Sequence, residues 1–307
     1  YNIKCIIAQN VKERYFMKER QVIFQAWMYR LNEIPVEEVA KQGFTAIQTS
    51  PLQYTKEKIH ENLDNAWVIY QPINYDIGND LGTVEDLRNL ANRCHANGLK
   101  LIVDIVMHHV ANEKGNDISH LVKDEYKHFY SDSFINIHDY NNEYELTHMS
   151  LDGLPALNLE NETIVNAQFN YLKQLKDAGV DGCRIDAYKH LLRGYRVKLA
   201  EELKRLGMYE YSYGEVIFAD TNLQRNYNEI PLYVNQSLCS SDQYGAIISH
   251  DDFKNSDNPY LRRDLNIFFA EYGYFMDNSL RQNVVYFCRP EDNMWRTENI
   301  RNINARR

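Results

Sequence analysis

The sequence predicts an α/β fold, a (β/α)8 TIM-type barrel of parallel strands with helices between them. Three observations carry this. A helix, a glycine and an apolar strand follow one another three times. The strands, residues 99–107 most clearly, are apolar on both faces, as strands covered by helices must be. Polar and charged residues gather at the strands' C-terminal ends, the face on which barrel sites are built. A doubly wound sheet is the alternative, but no Gly-rich phosphate loop follows the first strand.

Taken in order, Val22-Ile-Phe-Gln-Ala-Trp27 is an apolar run ending in an aromatic, the first strand. Residues 36–42 form a short helix closed by Gly43, and residues 44–51 a second strand stopped by Pro51. Thr83 caps the next helix, with Asp86 in the capping-box position. Leu87, Leu90, Ala91 and Cys94 make its apolar face, Gly98 ends it, and residues 99–107 are the third strand. Asn161 caps a further helix with Ile164, Gln168, Tyr171, Leu172 and Leu175 on one side. Gly179 ends that helix, and residues 180–185 are the next strand. Tyr244-Gly-Ala-Ile-Ile-Ser reads as the helix after a sixth strand, and Val284-Val-Tyr-Phe-Cys-Arg-Pro-Glu-Asp292 as a seventh. Residues 109–160, rich in Asn, Asp, His and Tyr, break the pattern and read as a small inserted subdomain after strand 3. Residues 1–108 and 161–307 are left to the barrel.

Composition narrows the function. The 307 residues are 44% hydrophobic and 25% charged, ordinary for a soluble globular chain. A net charge of −9 argues against a nucleic-acid partner, which calls for a basic surface. No apolar run is long enough for a transmembrane helix, so no membrane partner is expected. The five cysteines include no Cys-x-x-Cys pair, and Cys94, Cys183 and Cys288 read as buried free thiols, giving neither a disulfide framework nor a zinc site. Twenty-three tyrosines and three tryptophans supply flat amphipathic rings suited to sugar stacking as well as to packing.

The chemistry centres on Gly179-Val-Asp-Gly-Cys-Arg-Ile-Asp-Ala-Tyr-Lys-His190. Arg184 and Asp186, two apart on a strand, share a face. A guanidinium beside a carboxylate keeps it ionised, which suits a nucleophile. This string resembles a conserved region of the alpha-amylase family, glycoside hydrolase family thirteen. Further segments match in order: Gly43-Phe-Thr-Ala-Ile-Gln-Thr-Ser-Pro51, Tyr70-Gln-Pro-Ile-Asn-Tyr75, Val103-Asp-Ile-Val-Met-His-His109 and Tyr213-Gly-Glu-Val-Ile217. The resemblance runs from about Val22 to Asp292 and is closest to short bacterial members.

The resemblance implies a retaining glycoside hydrolase cleaving α-1,4 bonds in starch-like glucans or maltooligosaccharides, with no cofactor for the chemistry. Asp186 would be the nucleophile and Glu215 the general acid and base, set about 5–5.5 Å apart. A third carboxylate follows the seventh strand. His250-Asp251 has the expected dipeptide, but Asp292 has the apolar strand before it and is preferred, which leaves Glu291 where a histidine is usual. Tyr75 would stack under the sugar, His109 and Arg184 would bond sugar and nucleophile, and Lys189 and His190 would line the next subsites. The family's structural calcium would lie near Glu145 and the His190 carbonyl. His108 and Ala156, however, stand where Asn and Asp are usual, and imidazole is a poor ligand for a hard cation.

Glu291 and His108 also leave room for two rivals, a weakened or inactive carbohydrate-binding relative and a transglycosylase. Only fifteen residues follow Asp292, fewer than the roughly thirty to forty of a βα unit, so a barrel truncated after the seventh strand and lacking the family's C-terminal domain is expected. Its open edge would invite self-association. The resemblance implies secretion, although no signal peptide precedes Tyr1.

Overall fold

The computed structural model describes residues 23–41, 44–59, 63–114, 117–216, 229, 232–235, 239–240 and 246–247. Its centre is a six-stranded parallel sheet: β1 (Ile23–Ala26), β2 (Ala46–Thr49), β5 (Lys100–Ile105), β6 (Gly182–Ile185), β7 (Tyr213–Val216) and β8 (Leu232–Asn235), paired in that order. The registers are parallel throughout, from Ile23 opposite Ala46 to Glu215 opposite Val234. Sequential neighbours in an all-parallel sheet are the arrangement of a (β/α)8 barrel wall, with helices returning the chain between strands.

Those helices form where the apolar spacing asks for them. They are α1 (Val36–Lys41), α2 (Val84–Ala96), α4 (Glu162–Asp177) and α5 (Arg193–Arg205), while a short α3 (Glu143–His148) lies in the long segment after β5. Thr83 and Asp86 close a reciprocal capping box at α2, with Thr83 N–H donating to Asp86 at 2.8 Å. The Asn161 side chain caps α4 by accepting from Thr163 N–H at 2.9 Å. Gly98 and Gly179 have φ of +73° and +96°, left-handed conformations that turn each helix into the strand behind it. Leu87, Leu90, Ala91 and Cys94 of α2 and Ile164, Gln168, Tyr171, Leu172 and Leu175 of α4 are buried as their spacing predicts. Cys94 and Cys183 are buried free thiols, and burial pushes Cys94 up to about 12.

The structure departs from the sequence reading at three places. Residues 53–77 contain a hairpin, β3 (Gln53–Thr55) antiparallel to β4 (Pro72–Ile77), where the sequence reading assigned no element. The strand expected over 99–107 stops at Ile105, because the Gln53 side chain takes over the backbone of Val106. Its amide donates to the Val106 carbonyl at 2.8 Å and its oxygen accepts from Val106 N–H at 2.9 Å. Ala246 and Ile247, expected in a helix, instead form β10 (Ala246–Ile247), antiparallel to β9 (Cys239–Ser240).

The described residues of 109–160 hold α3, one turn of 3-10 helix (Asp124–Tyr126) and isolated bridges. Val110, Ala111, Val122, Tyr126, Leu157 and Leu159 from this segment join the barrel's own apolar core. No helix among the described residues is long and apolar enough to cross a membrane.

Candidate active site

The site is built where β5, β6 and β7 end. Asp104 is the register partner of Arg184, and Arg184 of Tyr213, so one row crosses three strands. Arg184 is 3% exposed. Its Nη1 donates to both oxygens of Asp104, at 2.7 and 3.0 Å, and to Asp186 Oδ1 at 2.9 Å. Its Nη2 lies 2.5 Å from Glu215 Oε1. One guanidinium therefore bridges three buried carboxylates.

Local backbone geometry holds this arrangement. Directly after Asp186 the chain turns at Ala187 with φ 48° and ψ 36°, a left-handed conformation that costs a non-glycine residue about 1–2 kcal/mol. The turn brings Ala187 N–H to 3.3 Å from Glu215 Oε2. Beside it, Gly214 leaves space for the Tyr188 ring, since a Cβ there would sit 2.5 Å from a ring carbon. That close approach lets the turn Tyr188–His190 lie across β7.

The electrostatics follow from burial. Removal from water pushes the Asp186 carboxyl up to about 7, with Arg184 pulling the other way and the Glu215 charge adding to the rise. Arg184 does favour the ionised form, as expected, but it does not act alone on Asp186. A single cation is divided among three acids, and desolvation outweighs the share that reaches Asp186.

Aromatic rings and imidazoles surround the carboxylates. Tyr70 Oη donates to Asp104 Oδ2 at 3.1 Å, and its ring centre is 5.7 Å from the Arg184 guanidinium. Trp67, 68% exposed, packs 6.4 Å from Tyr70 and 6.3 Å from Trp27, so a row of rings runs from the carboxylates to solvent. His109 Nε2 donates to the Tyr70 carbonyl at 3.0 Å, which fixes the tautomer, and burial lowers its pKa to about 4, keeping the ring neutral. Lys189 and His190 are buried on the turn after β6. Lys189 Nζ lies 5.7 Å from the ring centre of Tyr140, and His190 Nδ1 donates to the Leu146 carbonyl at 3.0 Å.

The catalytic-domain model of the alpha amylase family matches residues 38–220, which include every one of these groups except Trp27. The chain belongs to the alpha-amylase family. An alpha-amylase of Clostridium acetobutylicum is 34% identical over 178 residues, covering 55% of this chain and 23% of the relative. An alpha-amylase of Thermomonospora curvata is 29% identical over 251 residues, covering 75% and 40%. Among solved structures, alpha-amylase I of Eisenia fetida superimposes with a TM-score of 0.59 at 23% identity, covering 70% of this chain and 49% of that one. The alpha-amylase of Geobacillus thermoleovorans, complexed with acarbose, gives 0.57 at 20% identity, covering 71% and 52%. The chain spans about a quarter to a half of the relatives and neighbours named here.

Within this family frame, the structure gathers Arg184, Asp186 and Glu215 at one place, with His109 bonded to the backbone of Tyr70 beside them and Lys189 and His190 on the adjoining turn. It does not bring Tyr75 there. Tyr75 is 2% exposed, its hydroxyl accepts from Gln168 at 2.8 Å, and its ring packs edge-on to Tyr126 at 5.3 Å. It fills the core and has no face to offer a sugar. Five residues earlier, Tyr70 holds the position beside the carboxylates that Tyr75 was expected to hold. Asp292 and Glu291, like the competing His250-Asp251, lie outside the described residues. Glu145, expected near a calcium ion, accepts from the backbone N–H groups of His138 and Asp139, both at 2.9 Å.

Sequence reasoning also missed Asp104 and Tyr140. Asp104 carried a readable signal: a carboxylate in the middle of the apolar run 99–107 needs a buried cation, and Arg184 is the arginine nearest the other candidate acids. Tyr140 carried none, because only the fold brings the segment after β5 over Lys189.

Proposed function

We propose that this chain is the barrel portion of a retaining glycoside hydrolase acting on α-1,4-linked glucans, with Asp186 as nucleophile and Glu215 as general acid and base. The observation that carries the reading is the Arg184 guanidinium, held between Asp186 and Glu215 at the ends of adjacent strands. Two carboxyl groups held by one planar cation share a locality, as a pair acting on one glycosidic bond must. An Asp186 oxygen attacks the anomeric carbon as the bond to the leaving sugar breaks, and Glu215 gives its proton to the departing oxygen. A water, deprotonated by Glu215, then attacks the same carbon and releases Asp186.

Other side chains support the reaction. Arg184 orients both carboxyl groups and stabilises the charge Asp186 regains. Tyr70 and Trp67 offer ring surface to the sugar before the cleaved bond, and Tyr140 with Lys189 to the sugars after it. The substrate class rests on the company the fold keeps: solved neighbours are complexed with acarbose and with maltohexaose.

A glucanotransferase also superimposes, with a TM-score of 0.52, so hydrolysis and chain exchange have to be separated by experiment. Incubation with a maltooligosaccharide, followed by mass spectrometry, does so. The reading predicts shorter products only, and none from Asp186→Asn, since losing a nucleophile costs several powers of ten. Longer products would mean transglycosylation. Binding without any change in mass would reduce the chain to a carbohydrate-binding relative.

A further inference from the structure

The seam between the barrel and residues 109–160 passes through His108. Its ring is fully buried, and neither nitrogen has a hydrogen-bond partner. It packs 5.7 Å from the His109 ring and 5.4 Å from that of His190. Across the seam, the His108 carbonyl accepts from Leu157 N–H at 2.8 Å, and His109 forms an antiparallel bridge with Ala156, itself fully buried. The third tie is the 3.0 Å bond from His190 to the Leu146 carbonyl in α3.

Family membership implies a calcium ion at this seam, and the residues present do not fit one. Calcium takes about six to eight oxygens at roughly 2.3–2.6 Å and has little use for imidazole nitrogen. His108 presents nitrogen where an amide oxygen is usual, and Ala156 presents a methyl group where a carboxylate is usual. Glu145 turns its carboxylate to its own loop, accepting from His138, Asp139 and the Asn142 amide at 2.9, 2.9 and 3.2 Å. Among the described residues, no three His, Cys, Asp or Glu side chains are grouped to hold a metal.

We propose that this seam is closed without calcium: packed imidazoles of His108, His109 and His190, with the bridge to Ala156 and the bond to Leu146, do the work an ion does in related chains. The inference rests on family membership and on donor chemistry, not on the proposed reaction, so either can fail without the other.

Thermal unfolding followed by circular dichroism tests it without reference to activity. The protein in EDTA and the same protein in millimolar calcium should melt within about a degree of each other. An ion bound only by the folded state would separate the two by several degrees. Such a separation, reversed by EDTA, would overturn the proposal. The variant His108→Asn/Ala156→Asp returns both oxygen ligands and should gain a calcium-dependent rise in melting temperature. If it folds and gains none, the two positions are not what removed the site, and the assignment is wrong. A variant that stays unfolded with calcium present counts against it equally, because the restored ligands should then rescue folding.

Discussion

Arg184 is the group on which the site's charge balance depends, and Arg184→Met removes its charge while keeping much of its volume. Asp104 is fully buried, and Asp186 and Glu215 are 9% and 7% exposed, so water cannot replace the lost cation. Breaking a buried ion pair from one side costs about 3–5 kcal/mol, and a cation shared by three acids belongs near the top of that range. The loss should depend on pH. Asp186 has a folded pKa of about 7 against an ordinary 3.8, so its contribution to stability is fully present below about 3.8 and is lost as pH rises through about 7. Without Arg184 that pKa climbs further, at about 1.4 kcal/mol for each unit. The destabilisation should therefore be greatest near pH 8 and shrink toward pH 5, where Asp186 takes up its proton. Urea unfolding of both proteins at those two pH values, followed by far-UV circular dichroism, measures it. A penalty below about 1 kcal/mol, or one equal at both pH values, would refute the shared-cation argument.

Three other outcomes follow from the same geometry. The acidic limb of kcat/KM should lie near pH 7, because Asp186 must be ionised to attack and burial has pushed its pKa up to about 7; a limb near 4 would mean that the carboxyl is better solvated than the structure shows. Tyr70→Ala should lower kcat/KM with little change in stability. Tyr75→Ala, opening a core cavity, should instead lower stability by about 3–5 kcal/mol, and the reverse pattern in kinetics and urea melts would return Tyr75 to the site. Gly214→Ala should cost about 1–3 kcal/mol because its Cβ meets the Tyr188 ring at 2.5 Å, whereas Gly194→Ala, with nothing within 4 Å on α5, should be neutral or stabilising; equal melting temperatures for the two would contradict the packing of that turn.

The barrel was legible because its signals are local. Thr83, Asp86 and Asn161 announce helix starts, Gly98 and Gly179 announce their ends, and each apolar run behind them became a strand. Arg184 and Asp186 could be paired because a two-residue spacing on a strand fixes their common face. What remained hidden depended on partners distant in sequence. Gln53 truncates β5 by bonding to a residue 53 positions away, and Asp104 meets Arg184 across 80. The sharing of the cation stayed hidden for the same reason, since a two-residue motif cannot reveal that Asp104 and Glu215 also meet Arg184. Tyr75 was misplaced because an aromatic near a strand end looks the same whether it caps a core or faces a cleft. Only its bond to Gln168 on α4 decides that.

The central claim, that Asp186 is the nucleophile of a retaining reaction, is tested most directly by trapping the intermediate. The protein is incubated with a fluorinated glucosyl fluoride, which forms the glycosyl ester faster than water can hydrolyse it, and its peptides are then mapped by mass spectrometry. The account predicts one added sugar, carried by the peptide at Asp186 and absent from Asp186→Asn. An adduct on Asp104 or Glu215, or full turnover of natural substrate by Asp186→Asn, would contradict it.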